Sequence, residues 1–330
     1  MRTLAELGER EAIEIIKSAL ESTSEAYPPL GDDVSGWRLG GGLLAILKAD
    51  MLVASTDVPP GMSLYQAARK AVVTNISDLA AKGARPLAIL ASLGLPRDLT
   101  EQDLLEMARG LNDGAREYGA YVIGGDTNEC QELVIACYAF GICREGELVP
   151  RSGARPGDVL AVTGEFGLTY LGLKALIDGL ALSPGLRERA LEAVLMPKAR
   201  LRVGLALARS GLVTASVDSS DGLAWSLVEL SRASKVGFVL EELPIRPDVA
   251  EEAMRLGLSP EEACLYGGEE YELVLTVRPG RLEEAMSIAR SVGVELWPIG
   301  RAVKEQGIWL RKEDGSLKPV EARGWEHFRQ

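Results

Sequence analysis

The sequence predicts two α+β domains, at residues 1–150 and 151–330, and three observations carry that prediction. The chain has 330 residues and a hydrophobic content of 47%, a length that favours two domains and an apolar fraction able to fill two cores. Helical and strand periodicities are mixed without a strict βαβ repeat. Ser152-Gly153-Ala154-Arg155-Pro156-Gly157-Asp158 is a turn-rich stretch near the middle and reads as the inter-domain connection.

Taken in order, residues 4–22 alternate apolar and charged positions at helical spacing. Tyr27-Pro28-Pro29-Leu30-Gly31 reads as a loop delivering Asp32 and Asp33. Leu43 to Val53 reads as a strand with Asp50 near its end. Ser63 to Lys82 has helical periodicity and places Asn75 and Asp78 one turn apart on nearly the same face; Gly83-Ala84-Arg85-Pro86 stops it. Ala88 to Leu95 is a predicted strand. Thr100 opens a helix to about Tyr118, with Asp103 at the third position. Tyr121-Val122-Ile123 is a predicted short strand ending in Gly124-Gly125-Asp126, and Leu133 to Cys143 a long one. In the second half, strands are predicted at Val159–Thr163, Val213–Val217 and Tyr271–Val277. Helices are predicted at Leu168–Asp178, 186–195, 199–210, Asp221–Ser234 and Arg281–Val292.

Composition removes several function classes. The formal net charge of −12 argues against sequence-independent nucleic-acid binding, which needs a basic face. No signal-type stretch or bilayer-length apolar run is present, so no membrane partner is expected. Cys130, Cys137, Cys143 and Cys264 form no Cys-x-x-Cys pair, which disfavours structural zinc and suits a reduced, cytoplasmic protein. The single histidine, His327, excludes Ser-His-Asp triads and His-ligated zinc. Chemistry must rest on carboxylates, Lys, Arg or metal ions.

Carboxylates recur beside Gly, Ser or Asn along most of the chain: Gly31-Asp32-Asp33, Lys48-Ala49-Asp50, Asn75-Ile76-Ser77-Asp78, Gly124-Gly125-Asp126-Thr127, Asp218-Ser219-Ser220-Asp221-Gly222 and Gly267-Gly268-Glu269-Glu270. Converged, they form an array of hard oxygen ligands suited to Mg²⁺ and phosphates. Convergence demands cations, since two carboxylates ~6 Å apart at an effective dielectric of ~20 repel by roughly 3 kcal/mol. Each motif also has a plain structural reading. Gly124-Gly125-Asp126 fits a hairpin turn as well as a ligand-approaching backbone. Asp218 or Ser219 fits a helix cap, although capping needs one such side chain and the segment offers four. Asp78 fits either a metal-paired site or the exposed side of its helix. Gly267 to Leu273 fits a loop entering a strand, and Arg151 and Lys198 fit solvated surface roles as well as phosphate contacts. No Gly-x-x-x-x-Gly-Lys-Ser/Thr loop and no strand-linked Gly-x-Gly-x-x-Gly are present. If ATP binds, it binds through metal-bridged carboxylates.

The order of these motifs resembles the thiamine-monophosphate kinase family, within the aminoimidazole-ribonucleotide-synthetase-like superfamily. The resemblance is carried by Gly31-Asp32-Asp33, Asp50-Met51-Leu52-Val53, Asn75 to Pro86, Gly124-Gly125-Asp126-Thr127, Arg151 to Asp158, Asp218 to Leu223, Gly267 to Leu273 and Gly324-Trp325-Glu326-His327-Phe328. It implies two α+β domains, a homodimer formed through N-terminal sheets, and ATP as the phosphoryl donor to thiamine monophosphate, in a direct in-line transfer giving thiamine diphosphate. By position it implies several Mg²⁺ ions on Asp33, Asp50, Asp78, Asp126, Asp218 and Asp221, with Asp78, Asp126 and Asp218 central to catalysis. It implies nucleotide contacts from Arg151, Ser220, Gly124 and Gly125, and substrate contacts from Asp57, Glu269 and Trp325. Three departures stand out: Lys48-Ala49 where the family often has Ser-Thr, Asp57 where a substrate-facing His is common, and Gly-Gly-Glu-Glu for Gly-Gly-Glu-Asp. Among superfamily relatives, selenophosphate synthetase should carry a reactive N-terminal Cys, yet Cys130 comes first here; the hydrogenase-maturation enzyme needs a C-terminal Cys, and this chain ends Phe328-Arg329-Gln330. Aminoimidazole-ribonucleotide synthetase and a non-catalytic Mg-ATP-binding protein stay open as alternatives.

Overall fold

Two sheets organise the chain, seen in a computed structural model that describes residues 2–328. The first half contributes β1 (Ser35–Gly40), β2 (Leu43–Val53), β3 (Arg85–Leu95), β4 (Tyr121–Glu129) and β5 (Val134–Arg144), in the spatial order β1-β2-β5-β3-β4. Only the β3–β4 pair is parallel. The second half contributes β6 (Val159–Val162), β7 (Val213–Asp218), β8 (Gly237–Leu240), β9 (Leu273–Val277), β10 (Trp297–Val303), β11 (Ile308–Arg311) and β12 (Leu317–Pro319), ordered β12-β11-β8-β10-β6-β9-β7.

Strand alternation decides what the first sheet shows to the site. On β2, Leu44, Ile46 and Leu52 are buried against the helices, and Lys48 and Asp50 share that face; Leu47, Ala49 and Met51 point the other way and are exposed. The Lys48 position therefore faces the acidic residues and the Ala49 position does not. Of the two hydroxyl positions that the resemblance counts as lost, only one opens on the site.

Helix Leu64–Ala81 is the pivot of the molecule. Ser63 caps it, with its side chain accepting from the Gln66 N–H and Gln66 returning the bond, a capping box. Fourteen of its eighteen residues are buried, the pattern of a helix enclosed on all sides. One side lies on β2 and β5, another on helix Leu201–Ser210. At that second contact Gly204 is required: a Cβ there would stand 2.1 Å from the Ala80 carbonyl oxygen. One hydrophobic cluster accordingly runs from Leu44 and Ile76 through Leu207 to Leu275, across both halves of the chain.

Three expectations need correction. The helix expected over residues 4–22 is two helices, Leu4–Leu7 and Glu9–Ala19, broken at Gly8 with φ 76°. Gly124, Gly125 and Asp126 are not a turn after a short strand; β4 runs through them to Glu129. The glycine answers a close approach instead, since a Cβ on Gly125 would lie 1.8 Å from the Ala91 carbonyl oxygen of β3. Helix Leu223–Ser234 begins after Asp221, with Gly222 as its cap.

Candidate active site

Three elements bring three aspartates together. Asp33 comes from the loop before β1, Asp78 from helix Leu64–Ala81 and Asp218 from the end of β7. All are buried, and one carboxylate oxygen of each lies within 4.8 Å of the others. Asp78 is on the enclosed side of its helix, so the exposed-face alternative is wrong. The Ser77 hydroxyl donates to Asp218 at 2.7 Å. Asn75, fully buried, donates through Nδ2 to the Ala71 carbonyl at 3.0 Å and leaves Oδ1 without a partner.

Fixed cations surround this cluster. Lys48 Nζ is 3.1 Å from Asp50 and 3.1 Å from Asp78. Lys82, fully buried, reaches Asp32 at 2.8 Å, Asp33 at 2.7 Å and the Ser216 carbonyl at 2.5 Å. The Arg151 guanidinium pairs with Asp33 and, at 3.0 Å, with Glu229. Burial would raise the Asp33 carboxyl, but Arg151 and Lys82 hold it below the usual carboxylate value. Asp78 is compensated only in part: burial, then Asp218, Asp50 and Asp33, push it well up against the opposing pull of Lys48. Burial and Asp33 push Asp218 up to about 6, and burial with Glu229 and Glu9 pushes Asp221 to about 7. These are carboxylates in want of positive charge.

A second wall is built from two crossing segments. The Glu269 N–H donates to the Ser220 carbonyl at 2.7 Å and the Tyr271 N–H to the Ser219 carbonyl at 2.9 Å. Gly222, at φ 101°, allows the crossing; a Cβ there would meet the Gly267 carbonyl oxygen at 2.2 Å. Glu269 (φ 66°) and Tyr271 (φ 52°) both hold left-handed backbone, a cost found mostly at functional positions. Lys70 pairs with the Glu269 carboxylate and donates to the Asp57 carbonyl at 2.9 Å, so Asp57 and Glu269 share one neighbour. The Asp57 carboxylate itself accepts from the Val53 N–H at 2.7 Å and the Thr56 hydroxyl at 3.0 Å. Burial, then Glu269, Asp218, Asp50 and Asp57, push the Tyr271 phenol well up. That buried side chain feels the charges of both the aspartate cluster and the Asp57–Glu269 corner.

The remaining site positions lie further out. Ser220 is exposed, its hydroxyl 3.5 Å from Asp221. Trp325 is half-exposed; its N–H donates to the Asp221 carbonyl at 3.2 Å, and its own carbonyl accepts from Arg10 at 3.3 Å. Gly124, Gly125 and Asp126 are exposed on β4, where Asp126 is in register with Ser92, apart from the three-aspartate cluster. Lys82, Lys70 and Tyr271 are the site residues that motif reading passes over. The signal for the lysines is a basic residue within or directly after a helix rich in Ala, Val, Ile and Leu.

This architecture defines a class. The chain matches the family models for AIR synthase related protein, N-terminal domain at residues 31–143 and C-terminal domain at residues 155–312. The thiamine-monophosphate kinase of Pyrococcus horikoshii is 37% identical over 91% of each chain, and that of Nitrosopumilus maritimus 35% identical over 99% of this chain and 100% of its own. The structure described as AaThiL complexed with AMPPCP and TMP superposes with a TM-score of 0.86 at 28% identity, covering 99% of both chains. A Thermus thermophilus protein superposes with a TM-score of 0.86 at 36% identity, covering 96% of this chain and 100% of its own. The chain belongs to the thiamine-monophosphate kinase family. Among the described residues, no helix is long and apolar enough to cross a membrane.

Proposed function

We propose that the protein transfers the γ-phosphoryl group of ATP directly and in line to thiamine monophosphate, giving thiamine diphosphate. The observation that carries this reading is the convergence of Asp33, Asp78 and Asp218 in a chain that aligns over its length with kinases of this name. The donor set suits Mg²⁺: it is all oxygen, it is short of positive charge, and a buried amide oxygen of Asn75 is unsatisfied beside it in sequence. Asp33, Asp78 and Asp218 would hold the ions, with Asp50, Asp126 and Asp221 as further ligands. When bound, Mg²⁺ neutralises and orients the phosphates.

The chain's own residues do the rest. Arg151 and Ser220, with the backbone of Gly124 and Gly125, are the nucleotide contacts in this reading. Glu269 offers negative charge to the thiazolium ring, Asp57 fixes the corner beside it, and Trp325 supplies an aromatic face. The acceptor is a phosphate already ionised near neutral pH, so positioning and charge neutralisation matter more than a base. Mixing protein with thiamine monophosphate, ATP and Mg²⁺ should give ADP and thiamine diphosphate in equal amounts by chromatography, and neither with a chelator. ADP formed only with a formylglycinamidine ribonucleotide would replace the acceptor, and Mg-ATP binding without ADP would leave a binding protein.

We also read the exposed sheet face as the homodimer contact. Leu47, Met51, Leu90, Ile123 and Tyr138 are all exposed on strands of one sheet, and grouped exposed apolar side chains mark surfaces that a partner covers. Sedimentation should report a dimer, and Met51→Lys should shift it towards monomer; a wild-type monomer at micromolar concentration would remove this reading.

A further inference from the structure

Lys48 occupies a position that a bridging metal ion could otherwise take. Its ammonium joins carboxylates from two different elements, Asp50 on β2 and Asp78 on helix Leu64–Ala81, at 3.1 Å each. Its side chain is only 19% exposed, so the two carboxylates stand in for much of its water. A lysine ammonium is a compact point charge on a flexible stem, closer in character to a bound cation than an arginine fork. Lys82 likewise pairs with two carboxylates, the adjacent Asp32 and Asp33 of the loop before β1. Asp218 differs: among the described residues no ammonium or guanidinium forms an ion pair with it, and its recorded side-chain partner is the Ser77 hydroxyl. Two pairs of carboxylates are therefore held by permanent cations, and the uncompensated charge falls on Asp218 and on the sides of Asp33 and Asp78 that face it.

We infer that Lys48 is a tethered cation that holds Asp50 and Asp78 together in place of one divalent ion, so that the nucleotide-free protein binds one metal ion fewer than the same carboxylates would without it. This rests on the reading of the aspartate cluster as a metal site. The test is Mn²⁺ binding without nucleotide, by equilibrium dialysis and the paramagnetic signal of free Mn²⁺, on wild type, Lys48→Ala and Lys48→Arg. Lys48→Ala should bind one more Mn²⁺ per chain, or bind with a dissociation constant at least ~tenfold lower, as removal of a unit charge a few ångströms away requires. Lys48→Arg should stay at the wild-type stoichiometry. The Lys48→Ala protein should melt lower than wild type in chelator and recover more on adding Mn²⁺. Equal stoichiometry and affinity in Lys48→Ala and wild type would overturn the inference. So would a Lys48→Ala and a Lys48→Ser protein that both stay unfolded in saturating Mn²⁺, because metal could not then replace the ammonium. Wild type that binds no Mn²⁺ at all would overturn the metal-site reading itself, and the inference with it.

Discussion

Asp218→Asn should lose at least ~100-fold in kcat/KM and, in the absence of metal, should be more stable than wild type. The two effects have one cause. Asp218 is buried beside Asp33 and Asp78, and burial with Asp33 raises its carboxyl from 3.8 to about 6. A folded-state value above the unfolded one means that the native protein favours the protonated form. The ionised form therefore costs stability: nothing below pH ~4, increasingly between pH ~4 and 6, and on the order of 2–3 kcal/mol above that. Asn carries no such charge and can still accept the Ser77 hydroxyl. In chelator at pH 7.5 the variant should melt above wild type, and the gap should close as pH falls towards 4. Mg²⁺ and a non-hydrolysable nucleotide should then stabilise wild type and leave the variant nearly unmoved. A variant that melts lower than wild type in chelator at pH 7.5 would identify Asp218 as a satisfied structural carboxylate and remove it from the proposed metal site.

The same conflict explains what can be read from the sequence. Local signals specify local structure well. Ser63 and Gln66 bracket the start of the central helix, Thr100 and Asp103 form the capping box of the helix Glu101–Glu117, and β2 spans Leu43–Val53 as its apolar pattern predicts. Strands without a clear apolar pattern escape: β8, β11 and β12 are four, four and three residues, while β1 and β10 carry Gly and Arg, and β10 also Pro, among their apolar positions; β6, also four residues, is found because Val159 to Val162 is wholly apolar. β4 is misread because glycine is a turn signal in isolation, whereas its reason here is the neighbouring strand. The acidic residues are legible because a carboxylate beside Gly or Ser in an apolar setting is locally anomalous. Their partners are not. Lys82 meets a carbonyl 134 residues away and Ser77 meets Asp218 across 141, pairings made by the fold and by no spacing in the chain.

Lys82→Met should be the most damaging single change to the fold. Lys82 has no exposure, and its ammonium is shared by Asp32, Asp33 and the Ser216 carbonyl. Burial alone would lower its pKa, but Asp33 and Asp32 raise it, so it stays charged throughout the useful pH range. Met fills the channel occupied by the stem and removes only the charge. Asp33, itself fully enclosed, would then rely on Arg151 alone, and Asp32 would lose its ion pair. Breaking a buried pair from one side typically costs ~3–5 kcal/mol, a large share of the ~5–15 kcal/mol that holds a folded protein together. A fall in melting temperature on the order of 10 °C follows for a chain of this size. The companion Asp33→Asn should recover part of that loss in the double variant, because the stranded charge has gone; a double-variant cycle measures the coupling. Strictly additive losses would mean that Lys82 acts by filling space, and the permanent cations around the site would then need another account than charge.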